Sequence, residues 1–168
     1  MESEVSLSKW DKRFMALAQQ VSTWSKDPST QTGALLVSPD KRRIFLGYNG
    51  FAAGMSDSPE LYADREKKYS RVIHCEMNAM MNAQCDLHGF TLYTWPFLSC
   101  DRCAVHMIQA GVVRVVAPTP TLDQATRWAA AFEKTKSYFK EANVDIVEYD
   151  RDTGKVVYQF LTAEIPTR

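Results

Sequence analysis

His74, Cys75 and Glu76 put a ring nitrogen, a sulfur and a carboxylate in successive positions, and Cys100-x-x-Cys103 adds two more sulfurs downstream. His74, Cys100 and Cys103 are ligands of the kind zinc accepts. Three protein ligands leave one tetrahedral position open, which suits a catalytic rather than a structural ion. Two thiolates cancel the charge of Zn2+, so a base must help to activate water. Glu76 stands two residues beyond His74 and can sit beside the metal without ligating it. A carboxylate there can take a proton from water and deliver it to a leaving amine. A redox pair is the rival use of C-x-x-C, but the flanks LSCDRCAV lack the small or proline residues usual between such cysteines. A structural zinc would need a fourth ligand. Cys75 adjoins His74 and points elsewhere at a helix start, and Cys85 lies on the order of 16 Å further along the axis. Both are expected to be buried thiols acting as small hydrophobes. His88 and His106 are expected at the surface or in helix packing.

The elements that must hold these groups follow from periodicity. Trp10, Phe14, Leu17 and Val21 predict a helix from Ser8 to about Ser25. TGALLVS and RIFLGYN read as a strand hairpin around Pro39-Asp40-Lys41. The stretch from Gly50 to about Asp64 reads as a long loop, and long loops often carry function. A helix runs from Cys75 to about Gln84, with Met77, Met80 and Met81 expected in the core. FTLYTW is a strand, and a helix follows from near Cys100 to the stop at Gly111. VVRVVAP is a strand buried on both faces. A helix over Leu122–Ala142 and the late strands VDIVEY and KVVYQF complete the chain. The alternation predicts a three-layer α/β/α sandwich around a mixed, five-stranded sheet. It is read as one domain over 1–168, with its core at about 8–150 and a C-terminal extension at 151–168.

The 168 residues balance 20 Lys+Arg against 20 Asp+Glu, so net charge is zero. That weighs against polynucleotide binding, which needs a basic surface. No stretch is apolar and long enough to span a bilayer, and MESEVSLSKW shows no secretory pattern. The expected compartment is the reducing cytoplasm, where the 4 cysteines are thiols or metal ligands.

His-x-Glu followed by Cys-x-x-Cys resembles the zinc-dependent nucleoside and nucleotide deaminases. Further stretches resemble the deoxycytidylate (dCMP) deaminases: SKDPSTQTGALLV, GYNGFAAG, ADREKKYSRVIHCEMNAMMNA and TLYTWPFLSCDRCAVHMIQAGVVRVV. The resemblance covers roughly residues 8–150. It implies a cytidine deaminase-like fold and one zinc per chain, held by His74, Cys100 and Cys103, with Glu76 as proton carrier. It implies hydrolysis of dCMP to dUMP and ammonia, which supplies dUMP for thymidylate synthesis. Asn49 would hold the sugar, and Lys26 and Ser29 would approach the 5′-phosphate. Arg65, Lys67 and Tyr69 are alternatives for that end. The Cys75 backbone N–H would face the pyrimidine O2. Feedback by dCTP and dTTP, with Mg2+ on the triphosphate, would use the loop Gly50, Phe51, Ala52, Ala53 and Gly54. A homo-oligomer, commonly a hexamer in the family, is implied.

Two positions depart from the pattern: Cys75 stands where the family most often has Ala, and Ser99 where it most often has Pro. Ser is a good N-cap, so a side-chain hydrogen bond from Ser99 is expected to hold the turn. The rival readings are a deaminase of cytidine, tRNA or single-stranded DNA, and an inactive nucleotide sensor. Intact Glu76 argues against the sensor, which needs no proton carrier.

Overall fold

The computed structural model describes residues 5–162. Helix α1 (Lys9–Ser22) starts where Ser8 Oγ accepts the Asp11 N–H, a serine N-cap. Its buried stripe is Phe14, Met15, Ala18 and Val21. Strands β1 (Gly33–Val37) and β2 (Ile44–Tyr48) form the expected hairpin. The chain continues through β3 (Gly50–Phe51), α2 (Pro59–Ala63), α3 (Arg65–Arg71), β4 (Val72–Ile73) and α4 (Cys75–Ala83). After these come β5 (Thr91–Trp95), α5 (Asp101–Ala110), β6 (Arg114–Pro118), α6 (Leu122–Glu141), β7 (Asp145–Tyr149) and β8 (Val156–Phe160).

The main sheet runs β2-β1-β5-β6-β7-β8. Strands β5, β6 and β7 are parallel, and the other neighbours are antiparallel. Alternate side chains leave a strand on opposite faces. Leu35, Val37, Tyr93, Val116 and Val147 pack against α1 on one face. Ala34, Leu36, Leu92, Val115 and Ile146 pack with residues of α4, α5 and α6 on the other. The result is the expected α/β/α sandwich with uneven layers.

Four expectations need correction. The sheet has six strands rather than five: KVVYQF pairs antiparallel with β7, and its half-exposed alternation is that of an edge strand. The stretch from Gly50 to Asp64 contains β3 and α2, elements too short to show a period, and β3 pairs with β4 in a second, two-stranded sheet. Met77 and Met80 are half-buried, and Met81 is 50% exposed. The face of α4 against the sheet is lined instead by small residues such as Cys75, Ala79 and Ala83. Cys85 is exposed because α4 ends at Ala83 and Gln84 turns left-handed at φ 48°, carrying the chain outward. No helix among the described residues is long and apolar enough to cross a membrane.

A polar link ties α1 to the sheet. Arg114 donates to both oxygens of Asp11, at 2.8 and 2.9 Å, and Tyr93 Oη donates to the same carboxylate at 2.7 Å. Burial pushes the Asp11 carboxyl up, but the bonds from Arg114 and Tyr93 outweigh it and hold the group below its ordinary value of 3.8. A folded pKa below the unfolded one means that the unfolded chain binds more protons in that window. The stability is present above the ordinary value and is lost as pH falls through the folded one. Replacing Asp11 with Ala leaves Arg114 without its carboxylate partner and is expected to cost roughly 3 kcal/mol near neutral pH. Urea denaturation as a function of pH checks this, and the difference from wild type should shrink below about pH 4.

Candidate active site

His74 is the N-cap of α4 and Cys100 the N-cap of α5. Two helix starts therefore meet, each presenting free N–H groups and the positive end of its dipole. Cys100 Sγ accepts the Cys103 N–H at 3.4 Å, taking the capping role itself. His74 Nδ1 lies 3.5 Å from Cys100 Sγ and 3.4 Å from Cys103 Sγ. A nitrogen and a sulfur on one tetrahedral zinc are about 3.6 Å apart, from Zn–N of about 2.0 Å and Zn–S of about 2.3 Å. All three ligand atoms lie within 4.8 Å of one another, so the donor set fits one zinc ion. Cys103 is buried, Cys100 half-buried and His74 exposed, so the cluster opens toward the cavity that His74 and Cys100 line. The Cys103 thiol hydrogen-bonds Cys100, which pulls Cys100 down to about 4 and pushes Cys103 far up. The bond to Cys100 raises His74 to about 9. A metal must displace the protons of His74 and Cys103 to bind.

The position of α4 is set by β2. A Cβ on Gly47 would lie 2.3 Å from both Cys75 O and Ala79 N, so helix backbone rests on strand backbone. Asn78 Nδ2 donates to Tyr48 O at 2.7 Å and Asn82 Nδ2 to Leu46 O at 2.9 Å. Four residues of helix rise about 6 Å and two residues of strand about 7 Å, so the two amides match alternate carbonyls of the edge strand. Asn78 and Asn82 thereby cover the open edge of β2.

The turn into α5 is held differently from expectation. Ser99 Oγ is buried and makes no hydrogen bond among the described residues. Ser99 contributes its carbonyl, which accepts from Thr135 Oγ1 on α6 at 2.9 Å. Arg151, after β7, donates to Pro96 O and Thr119 O at 3.1 and 3.0 Å and lies 5.1 Å from the centre of the Trp95 ring.

A cavity of about 750 Å³ contains Glu76, His74 and Cys100 in its lining. Glu76 is 5% exposed. Phe97 packs on Trp128 and Phe132, at 5.0 and 5.5 Å, and with Trp95 these rings form an aromatic wall. Arg65, Lys68 and Arg127 also line the cavity. So do Ser29 and Asn49. Asn49 is already engaged: Oδ1 accepts the Thr32 N–H at 2.8 Å, and Nδ2 donates to Thr30 O at 2.9 Å and to Asp27 at 3.4 Å. Lys26 is a correction, because it leaves the cavity and pairs with Asp57. Lys67 is another, pairing with Asp64 on the outer side of α3. On a helix Arg65, Lys68 and Tyr69 share a face at i, i+3 and i+4, and that spacing could have singled out Lys68. Lys68 reaches the buried Asp27 at 2.9 Å. Arg127 carries no local signal, since α6 brings it in from far along the chain. Cys75 is buried, 1% exposed, outside the cavity lining.

Residues 8–119 match the family model of the cytidine and deoxycytidylate deaminase zinc-binding region. The chain belongs to this deaminase family. The deoxycytidylate deaminase of Mus musculus is 34% identical over 90% of this chain and 86% of its own length. That of Homo sapiens is 33% identical over 94% and 93%. A protein of Aliivibrio fischeri described as an uncharacterized deaminase in the luxG 3′ region is 39% identical over 83% and 93%. The apo dCMP deaminase of cyanophage S-TIM5 superposes with a TM-score of 0.63 at 20% identity, over 84% of this chain and 98% of its own. That likeness is one of fold, the cytidine deaminase-like fold. The zinc-binding character of the family agrees with the His74, Cys100 and Cys103 donor set.

Gly47→Ala tests the seat of α4. It is expected to cost roughly 1–3 kcal/mol by overpacking and to lower zinc occupancy. Gly50→Ala, where a Cβ meets nothing within 4 Å, should change neither. Thermal melts and metal analysis of the two variants check this.

Proposed function

We propose that this enzyme converts dCMP and water to dUMP and ammonia. The observation that carries the reading is one cavity lined both by His74 and Cys100 of the ligand cluster with Glu76 and by three cations, Arg65, Lys68 and Arg127. A base needs the first group and a 5′-phosphate the second. The relatives named deoxycytidylate deaminase, similar over nearly their whole length, support the same substrate. Zinc, when bound by His74, Cys100 and Cys103, makes water nucleophilic at neutral pH. Glu76 takes the proton from that water as the C4–O bond forms. It gives that proton to N3, where it stays in dUMP, then takes the second proton from the C4 hydroxyl and delivers it to the amine as the C4–N bond breaks and ammonia leaves. The backbone N–H of Cys75, in the first turn of α4 between His74 and Glu76, is the donor assigned to the pyrimidine O2. Asn49 Nδ2 turns toward the sugar the N–H whose bond to Asp27 is long, 3.4 Å. Ser29 stands on the wall near the phosphate.

The proposal extends to feedback by dCTP and dTTP with Mg2+ at Gly50–Gly54, in a cytoplasmic homo-oligomer. Support for the effector site is the stack of Phe51 on Tyr62, 4.1 Å between centres, since Tyr62 lines the substrate cavity. A nucleoside has no phosphate for these cations to engage, and zero net charge disfavours a polynucleotide.

Zinc-loaded protein should turn over dCMP in preference to deoxycytidine and to a cytosine-containing oligonucleotide. No turnover of dCMP, with and without dCTP and Mg2+, would sink the reading. Glu76→Ala is expected to keep its zinc and lose about a thousandfold or more in kcat, as steady-state kinetics and metal analysis would show.

Arg65 serves to test the phosphate end, because removing Lys68 would also strand the buried Asp27. Arg65→Ala should raise KM for dCMP by about tenfold or more while leaving deoxycytidine turnover nearly unchanged. An equal loss on both substrates would remove Arg65 from the phosphate site.

A further inference from the structure

We propose that the Cys75 side chain is a positioning residue for Glu76: its thiol holds one carboxylate oxygen so that the other faces the cavity. The inference rests on Glu76 being the proton carrier of the deaminase. Cys75 Sγ donates to Glu76 Oε2 at 3.3 Å. On its other side the same sulfur lies 3.9 Å from Thr94 Oγ1. Thr94 is 1% exposed and sits on β5, a central strand of the sheet. A hydroxyl, a thiol and a carboxylate thus form a line from the rigid sheet to the reacting group.

Glu76 needs such a support. Its side chain has several rotatable bonds, and its carboxylate must serve water, ring nitrogen and leaving amine in turn. A buried donor on Oε2 fixes the rotation of the carboxylate. An S–H bond is weak, so it orients the oxygen without tying up the proton-carrying capacity. An alanine at this position offers no donor.

The competing account is packing, since Cys75 belongs to the apolar cluster under α4. The two accounts rank substitutions in opposite orders. If packing is the role, Ala is the better replacement, because Ser adds a polar group to a core. If orientation is the role, Ser is better, because its hydroxyl keeps the donor.

The test uses the full, zinc-loaded chain as Cys75→Ala and Cys75→Ser. Cys75→Ala is expected to lose about tenfold in kcat for dCMP, with KM held within about twofold and zinc content and melting temperature close to wild type. Cys75→Ser should recover kcat to within about threefold of wild type. Crystal structures should show the Glu76 carboxylate displaced in the Ala variant and in place in the Ser variant. Wild-type kcat in Cys75→Ala, or a Ser variant no better than Ala, overturns the inference. If the wild-type chain fails to turn over dCMP, the proposed function falls and the crystal comparison alone decides for or against Cys75: an unmoved Glu76 in the Ala variant rejects its role.

Discussion

Gly47 lets the backbone of α4 lie directly on the edge strand β2, and the geometry of the site depends on that contact. Helix and strand meet where a methyl group would not fit. Asn78 and Asn82 then fasten the helix to the strand's outward carbonyls. Because the contact involves Cys75 O, it fixes the first turn of α4. His74 and Glu76 flank that residue, so both inherit their positions from one glycine. The same strand ends at Tyr48, and the next residue, Asn49, ties the loop of residues 25–32 to the cavity wall. The GYN run therefore serves as scaffold at its first residue and reaches the cavity wall at its last.

Electrostatics completes what packing begins. The net charge is zero, so no long-range field gathers an anionic ligand. Charge is placed locally instead. Two helix starts supply positive potential at the ligand cluster, which favours Cys100 as thiolate. The pair Lys68–Asp27 is nearly enclosed, with side chains 11% and 3% exposed. It joins α3 to the loop of residues 25–32 and leaves Arg65 and Arg127 as the less committed cations of the cavity. Burying Lys68 without Asp27 would be costly, so the pair stabilises the wall while keeping a cation in it.

Much of this was legible in the sequence, for reasons that differ by residue. His74, Glu76, Cys100 and Cys103 could be read because metal chemistry restricts both residue type and spacing. The long helices and central strands could be read because their burial is periodic, as in Phe14, Ala18 and Val21 or the run Arg114–Pro118. The segment from Gly50 to Ile73 could not, since β3, α2 and β4 are shorter than the period that would reveal them. Met81 misled because apolar residues at helical spacing suggest a core, while the space beneath α4 is filled by strand backbone and admits small side chains. Lys26 misled because its sequence neighbourhood belongs to the site, yet its side chain points to Asp57. Asp27, next to it, faces inward, and only the fold separates the two.

Ser99 shows how a local constraint can be exchanged for distant ones. A proline before Cys100 would shape the turn by fixing φ and lacking a donor N–H. Here Cys100 caps its own helix through sulfur, and Thr135 holds the carbonyl of Ser99 from α6. Arg151 holds Pro96 from beyond β7 while its guanidinium covers Trp95. Both partners lie past residue 119, where the family match ends. The later helix and strands are therefore coupled to the cysteine-bearing turn through hydrogen bonds that a proline would not need. In this chain the metal-ligand geometry depends on α6 and the turn after β7 as well as on the residues that carry the motif.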